Sequence, residues 1–269
     1  MSDSRKPIRR WEGGAFQPPT EDELAVEEPL EILVESRPVS ITMRTPGHDE
    51  ELAAGFLISE GVLDSAKSIE AIRPFPRNEK GNAINVFLKN SETIDFARLT
   101  RHVFASSSCG ICGRASIEAI QNRFPPLISK AELPASILLK LPRAMREHQT
   151  AFDRTGGLHA AALFNLNGKL LVLREDVGRH NAVDKVIGHG AFIHPFPLDE
   201  CVLLVSGRAS FEILQKALAA RIPIIAAISA PSSLAVDFAE AGGQTLVGFL
   251  REDRFNLYTH PERITTACE

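Results

Sequence analysis

Residues 201–248 read CVLLVSGRASFEILQKALAARIPIIAAISAPSSLAVDFAEAGGQTLVG. Cys201 to Val205, Ile222 to Ala227 and Thr245 to Gly248 are short, nearly unbroken apolar runs, the pattern of strands covered on both faces. Between them, Phe211 to Arg221 and Ser232 to Ala241 space their apolar residues as a helix with one buried stripe does. Strand, helix, strand, helix, strand is the mark of crossover units. It predicts an α/β architecture with a mainly parallel sheet and helices on its faces. In such sheets ligands collect at the carboxyl ends of the strands, where loops present free amides and helix N-termini.

Upstream, Ala160 to Leu166 and Leu170 to Arg174 read as two more strands, and Gly178 to Gly188 as a helix. The first part of the chain has another rhythm. Leu30 to Val34 and Val39 to Arg44 alternate around Ser36-Arg37-Pro38, which predicts a hairpin. Asp49 opens a helical pattern that stops at Glu60-Gly61. Ser68 to Pro74 and Ile84 to Leu88 read as strands around Gly81-Asn82, so residues from about 25 to 100 form a small mixed α+β unit. Arg5, Lys6, Arg9 and Arg10 lie ahead of it, and Trp11 to Thr20 supply no apolar h-region; residues 1–24 are expected to be a disordered leader.

The composition excludes several classes. With 269 residues, 44% hydrophobic and 24% charged, the chain can bury an adequate core and is not collagen, coiled coil or a disordered protein. Thirty Lys and Arg against 34 Asp and Glu leave a net charge of −4, so no global cationic field exists and no nucleic-acid partner is expected. The most apolar stretch, Ile222 to Ala230, falls far short of the roughly 20 residues a membrane-spanning helix needs, so no membrane partner is expected. Four cysteines, Cys109, Cys112, Cys201 and Cys268, do not form a secreted disulfide framework. A reducing, cytoplasmic location follows.

Cys109 and Cys112 lie in the small, polar stretch Ser106-Ser107-Ser108-Cys109-Gly110-Ile111-Cys112-Gly113-Arg114. A helix over Ala115 to Phe124 would set them near its N-terminus, with Arg114 close by, and both features lower a thiol pKa. A zinc half-site is one alternative, although no second CxxC or close His pair completes it. Thioredoxin-like chemistry is another, although there the motif follows a strand directly, and here a hydroxyl-rich loop precedes it. An exposed, nucleophilic sulfur on a loop suits the acceptance and delivery of a group, and sulfur transfer fits. Cys201, in a predicted buried strand, and Cys268 are expected to be passive.

Five further clusters carry candidate binding residues. Thr155-Gly156-Gly157-Leu158-His159-Ala160-Ala161 enters a strand; in a zinc nucleobase deaminase, His-x-Glu would stand here, but position 161 is Ala and the Cys pair precedes the His. Arg174-Glu175-Asp176-Val177-Gly178-Arg179-His180-Asn181-Ala182-Val183-Asp184-Lys185 lies where a strand gives way to a helix. It reads either as a solvated, salt-bridged cap or as a site in which helix-start amides with Arg179, His180 and Lys185 hold phosphate or heterocycle edges. Ser206-Gly207-Arg208 and Ser229-Ala230-Pro231 follow strands, and small residues there let backbone approach a ligand. Phe249-Leu250-Arg251-Glu252-Asp253-Arg254 follows the last strand, with an aromatic ring to stack on a base and arginines to pair a phosphate. Together the loops point to a large phosphate-bearing ligand. On the strand-end argument, Gly157, His159, Arg179, His180, Lys185, Ser206, Gly207, Arg208 and Ser229 are its candidate contacts.

The six motifs Ser-Cys-Gly-Ile-Cys-Gly, Thr-Gly-Gly-Leu-His-Ala-Ala, Arg-Glu-Asp-Val-Gly-Arg-His-Asn-Ala-Val-Asp-Lys, Ser-Gly-Arg-Ala-Ser-Phe-Glu, Ser-Ala-Pro-Ser-Ser-Leu-Ala and Gly-Phe-Leu-Arg, in this order, resemble the formate dehydrogenase accessory protein family, FdhD, over roughly residues 25–260. The resemblance implies a cytoplasmic sulfurtransferase that takes persulfide sulfur from a cysteine desulfurase. It passes that sulfur to the molybdenum cofactor, Mo-bis(molybdopterin guanine dinucleotide), before insertion into the formate dehydrogenase catalytic subunit; GDP would mimic a fragment of this bound substrate. The family's persulfide cysteine maps to Cys109, with Cys112 as partner thiol, and its C-terminal cofactor-binding segment to Phe249, Leu250, Arg251, Glu252, Asp253 and Arg254. The resemblance also implies a homodimer and a three-layer cytidine deaminase-like domain. The expected organisation is therefore a leader over 1–24, a smaller α+β domain over 25–128 that ends in the CxxC loop, and an α/β cytidine deaminase-like cofactor-binding domain over 129–269. A non-covalent molybdenum cofactor chaperone is the alternative function.

Overall fold

The computed structural model describes residues 4–75, 81–90 and 124–266. Two sheets carry the architecture. The first is four-stranded, with order β6-β5-β8-β7, built from β5 (Glu28–Val34), β6 (Arg37–Arg44), β7 (Ile69–Pro74) and β8 (Ala83–Leu88). Strands β5 and β6 form the expected hairpin, but its turn is Glu35-Ser36, and Arg37 and Pro38 already belong to β6. Both turn residues have positive φ, 49° and 63°, which costs energy in a residue with a Cβ. Side-chain bonds offset it. The Ser36 amide donates to Asn85 Oδ1 at 2.9 Å, and Glu35 Oε1 accepts the Leu88 amide at 2.7 Å.

Helix α1 (Asp49–Ser59) covers this sheet, with Asp49, Glu50 and Glu51 in its first turn, where the helix dipole favours negative charge. The segment expected to be a disordered leader is ordered as a ribbon instead. β1 (Arg5–Ile8) pairs with β4 (Thr20–Glu23), and β2 (Trp11–Glu12) with β3 (Ala15–Phe16) at its tip. Arg5 stands opposite Glu23 and Lys6 opposite Asp22, so basic and acidic side chains meet across the ribbon. Gly13 and Gly14, at φ 63° and 82°, make the two-residue turn at the tip.

The second sheet is six-stranded, with order β11-β10-β12-β13-β14-β15. Its strands are β10 (His159–Asn165), β11 (Leu170–Asp176), β12 (Cys201–Val205), β13 (Ile224–Ala227), β14 (Thr245–Gly248) and β15 (Asn256–Thr259). The helices named from the sequence appear as α5 (Arg179–Ile193), α6 (Phe211–Ala219) and α7 (Ser233–Gly242). The sheet is mixed rather than mainly parallel: β12-β13 and β13-β14 run parallel, while β10-β11, β10-β12 and β14-β15 run antiparallel. A parallel pair needs a crossover of about a dozen residues or more, which α6 and α7 provide; the short links after β10 and β14 permit only antiparallel return.

Alternate residues of these strands serve two cores. Ala161, Leu163, Leu203, Val205, Ile225 and Ala227 face one apolar cluster with Val183, Ile187, Leu214 and Phe238 of α5–α7. Ala160, Ala162, Phe164, Val202, Leu204 and Ala226 face another, closed by short helices α2 (Ala135–Leu138) and α3 (Leu141–Arg146) that follow β9 (Leu133–Pro134). A third short helix, α4 (Thr150–Thr155), leads back to β10. The last strand, β16 (Ile264–Thr265), pairs with β9. The first cluster also contains Leu30, Ile32, Leu52 and Leu57, so the small sheet and the large one share a core.

That sharing depends on α1 crossing α5 at glycines. A Cβ on Gly55 would collide with the carbonyl of Asp184, and one on Gly188 with the carbonyl of Glu51. Ion pairs flank the crossing: the Arg174 guanidinium holds both Glu51 oxygens at 2.5 and 2.7 Å, and Lys216 Nζ sits 3.0 Å from each Asp184 oxygen and 2.9 Å from Ser59 Oγ. Burial pushes the Lys216 ammonium down, but the Asp184 and Glu60 carboxylates outweigh it and hold the group above its ordinary range. Gly188→Ala is expected to destabilise the protein by about 3 kcal/mol, since two backbones must separate to admit a methyl. Urea unfolding measures it, and an unchanged midpoint would show that the crossing tolerates the extra carbon.

Candidate functional site

A cavity of about 1300 Å³ opens at the carboxyl ends of β12, β13 and β14 and the start of β10. Each element supplies a loop. From the entry to β10 come Gly157 and His159; from the β12–α6 loop Ser206, Gly207 and Arg208; from the β13–α7 loop Ser229. Leu250, Arg251, Glu252, Asp253 and Arg254 wall it from the β14–β15 loop, and Arg179 from the start of α5. Seven candidates chosen on the strand-end argument thus share one space with five from the segment after the last strand.

The loops are fixed by backbone ties. Ser206 Oγ accepts the Ala160 amide at 2.9 Å, and the Ser206 amide donates to the Ala160 carbonyl at 2.9 Å. The Phe249 amide donates to the Ser229 carbonyl at 3.1 Å, and the Leu250 amide to the Ala227 carbonyl at 3.1 Å. Arg251 Nη1 donates to the Ile228 and Leu250 carbonyls at 2.5 and 2.8 Å. Phe249 has φ 53° and is exposed, and it is not among the cavity's lining residues.

Two other candidates go elsewhere. Lys185 is 1% exposed; its ammonium lies 2.7 Å from Asp176 Oδ2 and donates to the Thr45 carbonyl at 2.8 Å, so it is a buried tie to β6 and does not line the cavity. His180 Nε2 points to Glu212 Oε2 at 3.3 Å. Cys109 and Cys112 lie outside the described residues, as does Cys268. Cys201 is buried in β12, and desolvation together with Asp199 and Glu200 pushes its thiol up to about 11, which keeps it passive.

The charge balance of the cavity is lopsided. Arg143, Arg146, Arg179, Arg208, Arg251 and Arg254 line it, against Glu147, Glu252 and Asp253. Arg143 pairs with Glu147, Arg254 with Asp253, and Arg146 with Asp153. Arg179, Arg208 and Arg251 make no ion pair among the described residues, and the Nε of Arg179 is buried without a partner. Guanidiniums left without carboxylates in a recess are built to receive an anion, and a forked donor suits phosphate oxygens. The side formed by α3 and α4, with Pro142, Arg143, Arg146, Gln149 and Phe152, was not foreseen, because it reaches the cavity from the opposite core rather than from a strand end. Its one sequence signal is the Arg143/Arg146 pair at helical spacing.

The FdhD/NarQ family model matches residues 25–265. The chain belongs to the FdhD/NarQ family. Among FdhD/NarQ relatives, a protein of Mycolicibacterium paratuberculosis named "Sulfur carrier protein FdhD" is 51% identical, covering 90% of this chain and 91% of its own. One of the same name from Streptomyces avermitilis is 48% identical over 98% and 96%, and one from Sulfolobus acidocaldarius 47% identical over 93% and 94%. A crystal structure of a candidate formate dehydrogenase accessory protein from Desulfotalea psychrophila superposes with a TM-score of 0.76 at 28% identity, covering 97% of this chain and 98% of that one. Among the described residues of this FdhD/NarQ chain, no helix is long and apolar enough to cross a membrane.

Beside the cavity, His180, with help from Ser210 and Arg179, outweighs burial and holds the Glu212 carboxyl down to about 2. A carboxylate depressed by folding stabilises the fold above its ordinary 4.5, and that contribution is lost as pH falls towards about 2. In His180→Gln the Glu212 pKa is expected to rise towards the ordinary range, and the fall in urea midpoint between about pH 5 and about pH 3 to become shallower. Equal acid slopes in the two proteins would show that the pair contributes nothing.

Proposed function

We propose that this chain is a sulfur carrier in formate dehydrogenase maturation, with Cys109 as the sulfur-bearing residue and the arginine-lined cavity as the seat of its nucleotide-bearing substrate. One observation supports it above the rest: Arg179, Arg208 and Arg251, without carboxylate partners among the described residues, face a large recess at strand ends where Gly207 and the serine loops leave backbone accessible. A ligand of the size and charge of Mo-bis(molybdopterin guanine dinucleotide) fits such a place, and the names of the relatives, sulfur carrier proteins, fit the CxxC motif.

In this reading the Cys109 thiolate attacks the outer sulfur of a persulfide on a cysteine desulfurase. A new S–S bond forms at Cys109, and the desulfurase leaves as its own thiolate, so no external oxidant is consumed. The carried sulfur is then delivered to the bound substrate. Cys112 assists by attacking the inner sulfur of the Cys109 persulfide, which releases the outer sulfur as hydrosulfide to the bound substrate and leaves a Cys109–Cys112 disulfide that a cellular dithiol reduces before the next cycle. Arg179 and Arg208 hold pyrophosphate oxygens, and Arg251, tied to the Ile228 and Leu250 carbonyls, fixes the β14–β15 loop against them. The mixed sheet with helices on both faces serves as the cytidine deaminase-like scaffold that the family resemblance implies. Two copies joined in a homodimer would present two guanine dinucleotide arms with one cavity each, in the cytoplasm, where the desulfurase and the dehydrogenase subunit meet the carrier.

Incubation with a cysteine desulfurase and cysteine is expected to add one sulfur to the Cys109–Cys112 peptide, read by mass spectrometry, and Cys109→Ala is expected to lose both this gain and the activation of formate dehydrogenase. A Cys109→Ala protein that still activates the dehydrogenase would favour the non-covalent chaperone instead. Arg208→Ala is expected to weaken GDP binding by about tenfold, the worth of one charge-assisted phosphate contact. Unchanged affinity would remove that arginine from the site.

A further inference from the structure

His159, the first residue of β10, stands half-buried in the cavity wall, and its imidazole makes no hydrogen bond to any described residue. Gly207 lies against its ring: a Cβ at position 207 would stand in van der Waals contact, 3.4 Å from Nδ1 and 3.7 Å from Cε1. Among the described residues, the charged groups around it leave it no counter-ion. Asp176 of β11 stands opposite it in the ladder, but both carboxylate oxygens are committed, Oδ2 to Lys185 Nζ and the Thr45 amide, Oδ1 to the Gly178 amide and Asn181 Nδ2. Glu175, the other acid of β11, is turned to the amides of Ala151 and Phe152. From α5 come Arg179 and His180, the latter directed at Glu212; from the β12–α6 loop come Ser206, Gly207 and Arg208, which bring positive charge or none. Burial first, then Arg179 and His180, outweigh Asp176 and hold the imidazole below its ordinary 6.5. These surroundings favour the neutral imidazole.

We infer that His159 is a proton-linked contact of this cavity: an entering phosphate-bearing ligand supplies the anionic partner that the wall lacks, and His159 takes up a proton from solvent as the ligand binds. The inference rests on the reading of the cavity as a site for a phosphate-bearing substrate. Its sign follows from linkage. Protonation at His159 favours the complex over the free protein, so affinity rises as pH falls through the window between the free and bound states, at most tenfold per pH unit for one proton. The linkage makes His159 a sensor of whether the cavity is filled.

GDP-mannose is the probe, because its doubly esterified pyrophosphate does not itself titrate near neutrality. Calorimetric titration near pH 6.5 in buffers of different ionisation enthalpy is expected to show uptake of up to one proton per site, with affinity falling about tenfold between about pH 6 and about pH 8. His159→Gln keeps a hydrogen-bond donor but cannot titrate, and is expected to bind with no proton uptake and a flat pH profile. In the native protein, NMR titration of the His159 Cε1 proton is expected to show an upward pKa shift on adding ligand, a readout that stands even if the variant fails to fold. Proton-neutral binding by the native protein, uptake that persists in His159→Gln, or an unshifted His159 would each overturn the inference while leaving the site intact. No binding of GDP-mannose at any pH would overturn the phosphate-site reading, and the inference with it.

Discussion

The close approach of α1 and α5 at Gly55 and Gly188 is the constraint on which the rest of the molecule depends. With no Cβ on either glycine, the two backbones come near enough for the small sheet and the large sheet to share one apolar core. Neither helix is stable alone, since most helical stability comes from burying a face. The ion pairs at the two ends of the crossing, Arg174–Glu51 and Lys216–Asp184, have little energy to add after desolvation, but they accept only one register of the helices. That register also sets the position of the first residue of α5. Arg179 reaches the cavity because Gly188, two and a half turns later, cannot move.

The same economy explains Asp176. Its carboxylate takes four donors, from Lys185, Thr45, Gly178 and Asn181, and so joins the end of β11, the start of α5 and the end of β6 in one buried node. A carboxylate this well supplied has nothing to offer the neighbouring cavity. The cavity is consequently left with arginines on several sides and acids mostly paired, which turns a structural demand at the node into an electrostatic property of the site.

Much of this was legible because the large sheet advertises itself by period. Cys201–Val205 and Thr245–Gly248 are strands at the boundaries their apolar runs announce, and the loops after β12, β13 and β14 converge because parallel strands end on one side. Strand direction was less legible: the apolar runs look alike whether the neighbour is parallel or antiparallel, and only connection length distinguishes them. The ribbon over residues 5–23 was missed because its ladder is held by cross-strand charge pairs and a Gly13-Gly14 turn, with little apolar alternation to see. The α3–α4 wall was missed for a geometric reason, since it arrives from a part of the chain that no strand end points to.

The motif from Arg174 to Lys185 shows where residue-type reasoning misleads. It is a dense run of polar side chains, and its place at a strand end favoured a ligand site over a salt-bridged cap. In the fold, Arg174 goes to Glu51, Glu175 to the amides that open α4, Asn181 to Thr42 and Met43, Asp184 to Lys216, and Lys185 to Asp176. Of the candidates in it, Arg179 alone lines the cavity. Helical geometry divides the run: residues on the inner face of α5 meet α1, α6 and β6, and one at the helix start escapes towards the strand ends. A polar cluster that spans a strand end and a buried helix is mostly framework, because buried charge must be paired before the helix can pack. What such a cluster leaves unpaired, rather than what it contains, marks the functional surface.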